Sequence, residues 1–142
     1  MAIRCGVIRV NQIVVNKGRR EMLLLYGESV LRRYSIALGP NPAGHKVQEG
    51  DGRTPEGRYT IDRRNPKSAY HISLHISYPN EQDRERAREL GVDPGGDIMI
   101  HGLRNGTPMR TDWTRGCIAV TDEEMDEIWD LVADGTPIQI DP

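Results

Sequence analysis

Two short stretches hold the residue types for covalent chemistry: Ile98-Met99-Ile100-His101-Gly102 and, one loop later, Trp113-Thr114-Arg115-Gly116-Cys117-Ile118. A cysteine attacks as its thiolate, and an imidazole within reach takes the thiol proton and stabilises the thiolate as an ion pair. That pairing predicts a Cys117 thiol ionising below the reference value of about 8.5. Gly116 leaves no side chain beside the sulfur. The backbone N–H groups of Arg115, Gly116 and Cys117 can then turn inward as an oxyanion hole for a tetrahedral acyl intermediate. Spacing alone leaves a second reading open, with Cys117 an ordinary buried small residue and His101 a core histidine, since free cysteine is among the most buried residue types.

Other polar residues offer weaker signals. His75 shares the polar face of a strand with His71, Ser73 and Ser77, which suits either a solvated face or a cleft wall. His71 and His75, with His101 and Cys117, could be imagined around a metal, but no second ligand pair has zinc-site spacing. The expectation is therefore no metal and no cofactor. Arg53 and Arg115 have the guanidinium fork that suits a carboxylate, or are solvated surface arginines. His45, beside Lys46, reads as a surface residue. The glycines near Gly39 and Gly50 do not form a phosphate loop, because no Gly-Lys-Ser/Thr follows them.

The elements that must position these residues are mostly strands. Residues 12–16, 22–26 and 30–38 read as a β-meander, with turn chemistry at Lys17-Gly18 and Gly27-Glu28. Residues 39–57 form a long loop, of the kind that is usually functional. A strand is predicted over 58–62. Residues 70–78 alternate, with Tyr70, Ile72, Leu74, Ile76 and Tyr78 on one face. Asn80 caps a charged helix over 81–90 that Gly91 stops; its thin apolar stripe, Ala87 and Leu90, predicts a lightly packed surface helix. A strand over 97–101 leads into a loop over 102–116. Thr121 and Glu124 form a capping box, and Met125, Ile128, Trp129 and Val132 mark the buried face of a second helix that Gly135 ends. A strand over 137–140 closes the chain.

Composition bounds the rest. The chain has 142 residues, 37% hydrophobic and 28% charged, which suits one domain over residues 1–142. Phe is absent, so Ile, Leu and Val must build the core. A formal net charge of −2 weighs against a general nucleic-acid binder. Basic residues gather in residues 1–33 and acidic ones in residues 121–134, which predicts two oppositely charged solvated faces. No run is long and apolar enough for a membrane span. No secretory signal precedes Cys5, and Ala2-Ile3-Arg4 is a poor lipoprotein cleavage site. Cys5 and Cys117 are expected to be separate thiols.

His101-Gly102 followed by Thr114-Arg115-Gly116-Cys117 resembles the signature of the L,D-transpeptidase (YkuD-like) catalytic domain. Asp51-Gly52-Arg53-Thr54-Pro55-Glu56-Gly57-Arg58-Tyr59 resembles its Thr-Pro-x-Gly-aromatic segment. Ser73 to Asn80, Pro94 to Ile98 and Cys117-Ile118-Ala119-Val120 are similar to the YafK-like branch, and the likeness runs from about residue 12 to residue 140. Three features depart from the family pattern: Arg115 stands where many members have His, Ala119 where many have Arg or Asn, and the loop after His101 is short.

The resemblance implies a mixed, mainly β (α+β) sandwich or barrel-like domain with one surface helix and one packed C-terminal helix. It implies a cysteine acyl-enzyme acting on diaminopimelate-containing peptidoglycan stem peptides. Cys117 is then the nucleophile and His101 the base and acid, with the imidazole oriented by the backbone carbonyl of Gly102. His75, Arg53, Thr114 and Arg115 are the implied substrate contacts. The YafK-like branch suggests an amidase that detaches a lipoprotein lysine from peptidoglycan; a crosslinking transpeptidase and a non-catalytic peptidoglycan-binding module are the alternatives. The implied location is the periplasm or cell envelope if a leader has been removed, and the cytoplasm if the chain is native as given.

Overall fold

Alternating apolar residues at the start of the chain form an antiparallel meander of β1 (Gln12–Asn16), β2 (Glu21–Tyr26) and β3 (Ser29–Ser35). Ile13, Val15, Met22 and Leu24 are fully buried on its inner face, each worth roughly 1.5–3 kcal/mol of transfer free energy. The computed structural model describes residues 10–103 and 112–142; Cys5 and residues 104–111 of the loop after His101 lie outside them. The remaining strands are β4 (Gly57–Asn65), β5 (Ser73–Ile76), β6 (Met99–His101), β7 (Ile118–Ala119) and β8 (Pro137–Asp141). They join the meander in one sheet of order β3-β2-β1-β8-β4-β5-β6-β7.

The last strand therefore sits in the middle, parallel to β1 and antiparallel to β4. Past β3 the chain bends, and Ala37 exchanges two 3.0 Å backbone hydrogen bonds with Ala119. This bridge links the chain that leaves one edge strand to the other edge strand and curls the sheet into a half-barrel. The core lies inside the curl, built from Ile, Leu and Val as expected, with Met22, Met125, Tyr34, Tyr59 and Tyr78 added.

Several predicted boundaries move. The strand predicted over 70–78 is paired only over Ser73–Ile76. His71 has φ +74°, so residues 70–72 turn instead of extending, and Tyr70 leaves the face assigned to it. The helix predicted to run to Gly135 is α2 (Asp122–Leu131). Val132 is extended there, and Arg64 of β4 takes over the helix end, donating to the Trp129 and Val132 carbonyls at 3.1 and 2.5 Å. A cation at that end complements the helix dipole, which has no basic residue in its own last turn.

The first helix, α1 (Glu81–Leu90), has the predicted Asn80 cap and Gly91 stop but a different anchor. Leu90 is exposed, whereas Asp83 is buried and accepts from Tyr59 Oη at 2.7 Å and from the Asn80 N–H at 3.0 Å. His45 Nε2 completes this cluster at 2.8 Å from Asp83, while its Nδ1 accepts the Glu56 N–H. His45 is thus a buttress between the long loop and α1, not a surface residue.

The charge runs also do more than face solvent. Arg32 pairs with Glu127 and His71 with Asp126, so the acidic helix is tied to basic partners. Lys17 is only 2% exposed. Its ammonium donates to the Gly44 and Thr54 carbonyls at 2.9 and 2.7 Å and pairs with Glu56 at 3.1 Å, fastening the 39–57 loop to the end of β1. Burial holds its pKa below the ordinary lysine value, an effect partly offset by Glu56. Replacing Lys17 by Met leaves two carbonyls and Glu56 without their cation. It is expected to lower the unfolding free energy in urea by about 3 kcal/mol, and a loss under about 1 kcal/mol would refute this anchor.

Candidate active site

A cleft of about 740 Å³ opens where β6 ends, with His101 and Cys117 both in its lining. The register Ile100↔Ile118 and His101↔Ala119 sets β6 and β7 in parallel, so the two segments carrying these residues run side by side. Ser73 and His75 pair with His101 and Met99 across β5 and β6. The face predicted as polar in β5 is therefore the face that carries His101.

His101 is buried, and its ring is fixed from several directions. Nδ1 lies 2.7 Å from the Gly102 carbonyl. A carbonyl only accepts, so Nδ1 carries the hydrogen and Nε2 is left unprotonated in the neutral ring. Tyr70 stacks on the imidazole with centroids 4.4 Å apart, and Trp113 meets it edge-on at 5.7 Å. Burial lowers the His101 pKa, more than the Gly102 bond raises it, so the imidazole is neutral at neutral pH.

Cys117 follows a glycine that no other residue could replace without displacing backbone. Gly116 has φ +128°, and a Cβ there would lie 2.6 Å from the Arg53 carbonyl. Thr54 Oγ1 donates to the Gly116 carbonyl at 2.6 Å, locking the long loop onto the cysteine segment. At rest the Cys117 thiol donates to the Asp97 carbonyl at 3.2 Å. Burial pushes this thiol up to about 11, against the downward pull of a Met99 N–H; the Asp97 charge adds to the rise and the Lys46 charge offsets part of it. The expected low thiol pKa is therefore corrected: the resting pair is a neutral thiol and a neutral imidazole, because desolvation disfavours both charged forms.

The other predicted residues divide. Arg115 is exposed and lines the cleft with Thr114. Thr114 Oγ1 accepts the Gly116 N–H at 3.1 Å and donates to the Cys117 carbonyl at 2.8 Å, so its hydroxyl is spent on shaping this turn. The same bond occupies the Gly116 N–H, which leaves the N–H groups of Arg115 and Cys117 as the remaining members of the predicted oxyanion hole. His75 lies outside the cleft lining, with Nδ1 2.6 Å from Asp62. The Arg53 guanidinium lies toward Gly44 instead of the cleft. His71 and His75 hold separate carboxylates, and among the described residues no three His, Cys, Asp or Glu side chains gather as a metal site. Sequence reasoning missed Tyr70, whose alternation signal suggested a core strand, and Lys46, which the composition of the loop concealed.

The profile of the L,D-transpeptidase catalytic domain, YkuD, matches residues 10–140. The chain belongs to the L,D-transpeptidase family. Within it, YafK of Escherichia coli (strain K12) is 34% identical over 102 residues, which cover 70% of this chain and 34% of that protein. Among solved structures, the helical cell shape determining protein Pgp2 of Campylobacter jejuni superposes with a TM-score of 0.73 at 26% identity, over 94% of this chain and 48% of that one. The L,D-transpeptidase of Xylanimonas cellulosilytica shares the fold at 15% identity and a TM-score of 0.63, over 95% of this chain and 62% of that one. The chain thus spans about a third of YafK and about half of Pgp2. The half-barrel with two helices is the L,D-transpeptidase fold.

A neutral resting pair has a kinetic signature in the free protein. Only the thiolate reacts with iodoacetamide, and a thiol raised to about 11 is almost wholly protonated at neutral pH. The alkylation rate of Cys117 should climb about tenfold per pH unit from neutrality towards pH 11, followed by peptide mapping. A rate that is flat from about pH 6 to about pH 9 would reveal a thiolate–imidazolium pair instead.

Proposed function

We propose that this chain is the catalytic domain of a cysteine enzyme acting on diaminopimelate-containing peptidoglycan stem peptides in the cell envelope. One observation carries the reading: a single cleft holds Cys117 together with a buried His101 whose Nδ1 is engaged by Gly102. Substrate binding displaces the thiol from the Asp97 carbonyl. The thiol proton passes to Nε2 of His101 as Sγ attacks the peptide carbonyl at the L-centre of diaminopimelate. The Arg115 and Cys117 N–H groups receive the developing oxyanion. Collapse breaks the C–N bond, the leaving amine takes the proton from Nε2, and a thioester remains on Cys117. Water, activated by the same Nε2, then releases the carboxylate and restores the thiol.

Hydrolysis is preferred to crosslinking because Cys117-Ile118-Ala119-Val120 and Tyr78-Pro79-Asn80 resemble the YafK-like branch. The bond cut is then the one joining a lipoprotein lysine to diaminopimelate. Arg115 is the exposed basic residue suited to a substrate carboxylate. The name of the Campylobacter relative, a helical cell shape determining protein, fits a wall-directed activity.

Mass spectrometry of products from diaminopimelate-containing muropeptides bearing a linked lysine tests this. Wild type should release the lysine-bearing fragment, and Cys117→Ala should lower turnover by about 10³-fold or more. A crosslinked dimer formed with an added amine acceptor would overturn hydrolysis. Binding without turnover in wild type would overturn the enzyme reading in favour of a peptidoglycan-binding module.

A further inference from the structure

Lys46 is 4% exposed, yet it lines the catalytic cleft with Cys117 and Arg115. Lysines are almost never fully buried unless paired, and here the pairing is incomplete. Nζ donates to the Gln48 carbonyl at 3.2 Å and to Asp51 Oδ1 at 3.0 Å. An ammonium has three N–H donors, so one is left over among the described residues. Asp51 is also shared: its two oxygens accept the Val47, Gln48 and Arg53 N–H groups at 2.8, 3.0 and 3.1 Å. Its negative charge is spread over four donors, and the lysine keeps charge for a further acceptor. That charge reaches the nucleophile, since Lys46 acts on the Cys117 sulfur in the direction that favours an anion there. Glu49 and Asp97 also line the cleft, and Asp97 opposes Lys46 at the sulfur with the larger effect; what distinguishes Lys46 is its burial with one N–H donor left over.

From this geometry we infer that Lys46 is a carboxylate-binding residue of the cleft, and that the acyl donor carries a free carboxylate within reach of Cys117. The free N–H of the ammonium donates to that carboxylate in a site with little water, where a charge-assisted bond is strong. The loop reason for burying Lys46 and the substrate reason coincide, because Asp51 holds the ammonium in place for its third partner. This inference deepens the proposed function and rests on it only for what the donor is.

Two alkylating reagents read the subsite without any turnover. Iodoacetate and iodoacetamide attack the same thiolate, so the ratio of their rates at Cys117 cancels the ionisation of the thiol. Only iodoacetate presents a carboxylate. The wild-type ratio should exceed that of N-acetylcysteinamide, a thiol without a carboxylate of its own, by about tenfold. Lys46→Gln should bring it down to the free-thiol value, and Lys46→Arg should keep most of the excess. Should Lys46→Gln fail to fold by circular dichroism, added acetate at constant ionic strength should lower the wild-type ratio instead. A wild-type ratio equal to that of the free thiol, or one insensitive to both Lys46→Gln and acetate, would overturn the inference. A Lys46-dependent ratio without muropeptide turnover leaves the subsite standing and removes the peptidoglycan reading. Turnover with an unchanged ratio does the reverse.

Discussion

The Nδ1–H of His101 meets the Gly102 carbonyl at 2.7 Å, and the surrounding elements converge to hold that carbonyl still. The Gly102 N–H donates to the Tyr70 carbonyl at 3.0 Å, and the Leu103 N–H to Asp122 at the start of α2 at 2.8 Å. A Cβ on Gly102 would come within 2.5 Å of the Asp122 carboxylate and 3.1 Å of the Tyr70 carbonyl, so a larger residue would displace Asp122 from the Leu103 N–H and crowd the turn. On the other side Val120 donates its N–H to the His101 carbonyl at 3.0 Å. Asp122 in the first turn of α2, the turn before β5 and the residue after β7 therefore act together on the two adjacent peptide units that flank Gly102. Because Tyr70 also stacks on the imidazole, the same turn sets both the ring plane and its hydrogen bond.

The thiol is placed by a second set of constraints. Lys17 fastens the long loop through Thr54, Thr54 fastens Gly116, and Gly116 delivers Cys117 to the cleft. The chain of contacts runs from a buried ammonium at the end of β1 to the sulfur, through backbone carbonyls that have little freedom to shift. Desolvation then dictates the electrostatics. It lowers the imidazole pKa and raises the thiol, so both groups rest uncharged in the cleft. A neutral resting thiol also resists oxidation and adventitious alkylation, which track thiolate character.

Much of this architecture is legible in the amino-acid sequence. Period-two alternation places the meander, because half-buried strands must alternate, and the capping boxes at Asn80 and Thr121 fix both helix starts through local hydrogen bonds. His101, Gly102, Gly116 and Cys117 stand out because they resemble the L,D-transpeptidase signature, where spacing alone leaves a core-residue reading open. What the sequence hides depends on contacts between distant residues. Tyr70 alternates with its neighbours as a core strand would, and only the left-handed His71 turns it onto the imidazole. Lys17 and Lys46 look like surface charges until the loop carbonyls and Asp51 enclose them. Asp83 reads as one of many helix acids, and its burial depends on Tyr59 and His45 from elsewhere in the chain. The thiol pKa escapes the motif for the same reason, since desolvation depends on what packs around the sulfur.

The claim on which the account turns is that His101 is a neutral imidazole whose Nε2 is the free base. Nitrogen-15 NMR of the imidazoles in the resting protein at neutral pH measures this directly, with the His101 signals assigned by their loss in His101→Gln. The account predicts a protonated Nδ1 and an unprotonated, pyridine-like Nε2 for His101, and the opposite tautomer for His45, whose Nδ1 accepts the Glu56 N–H. An imidazolium at His101, or a hydrogen on its Nε2, would contradict it.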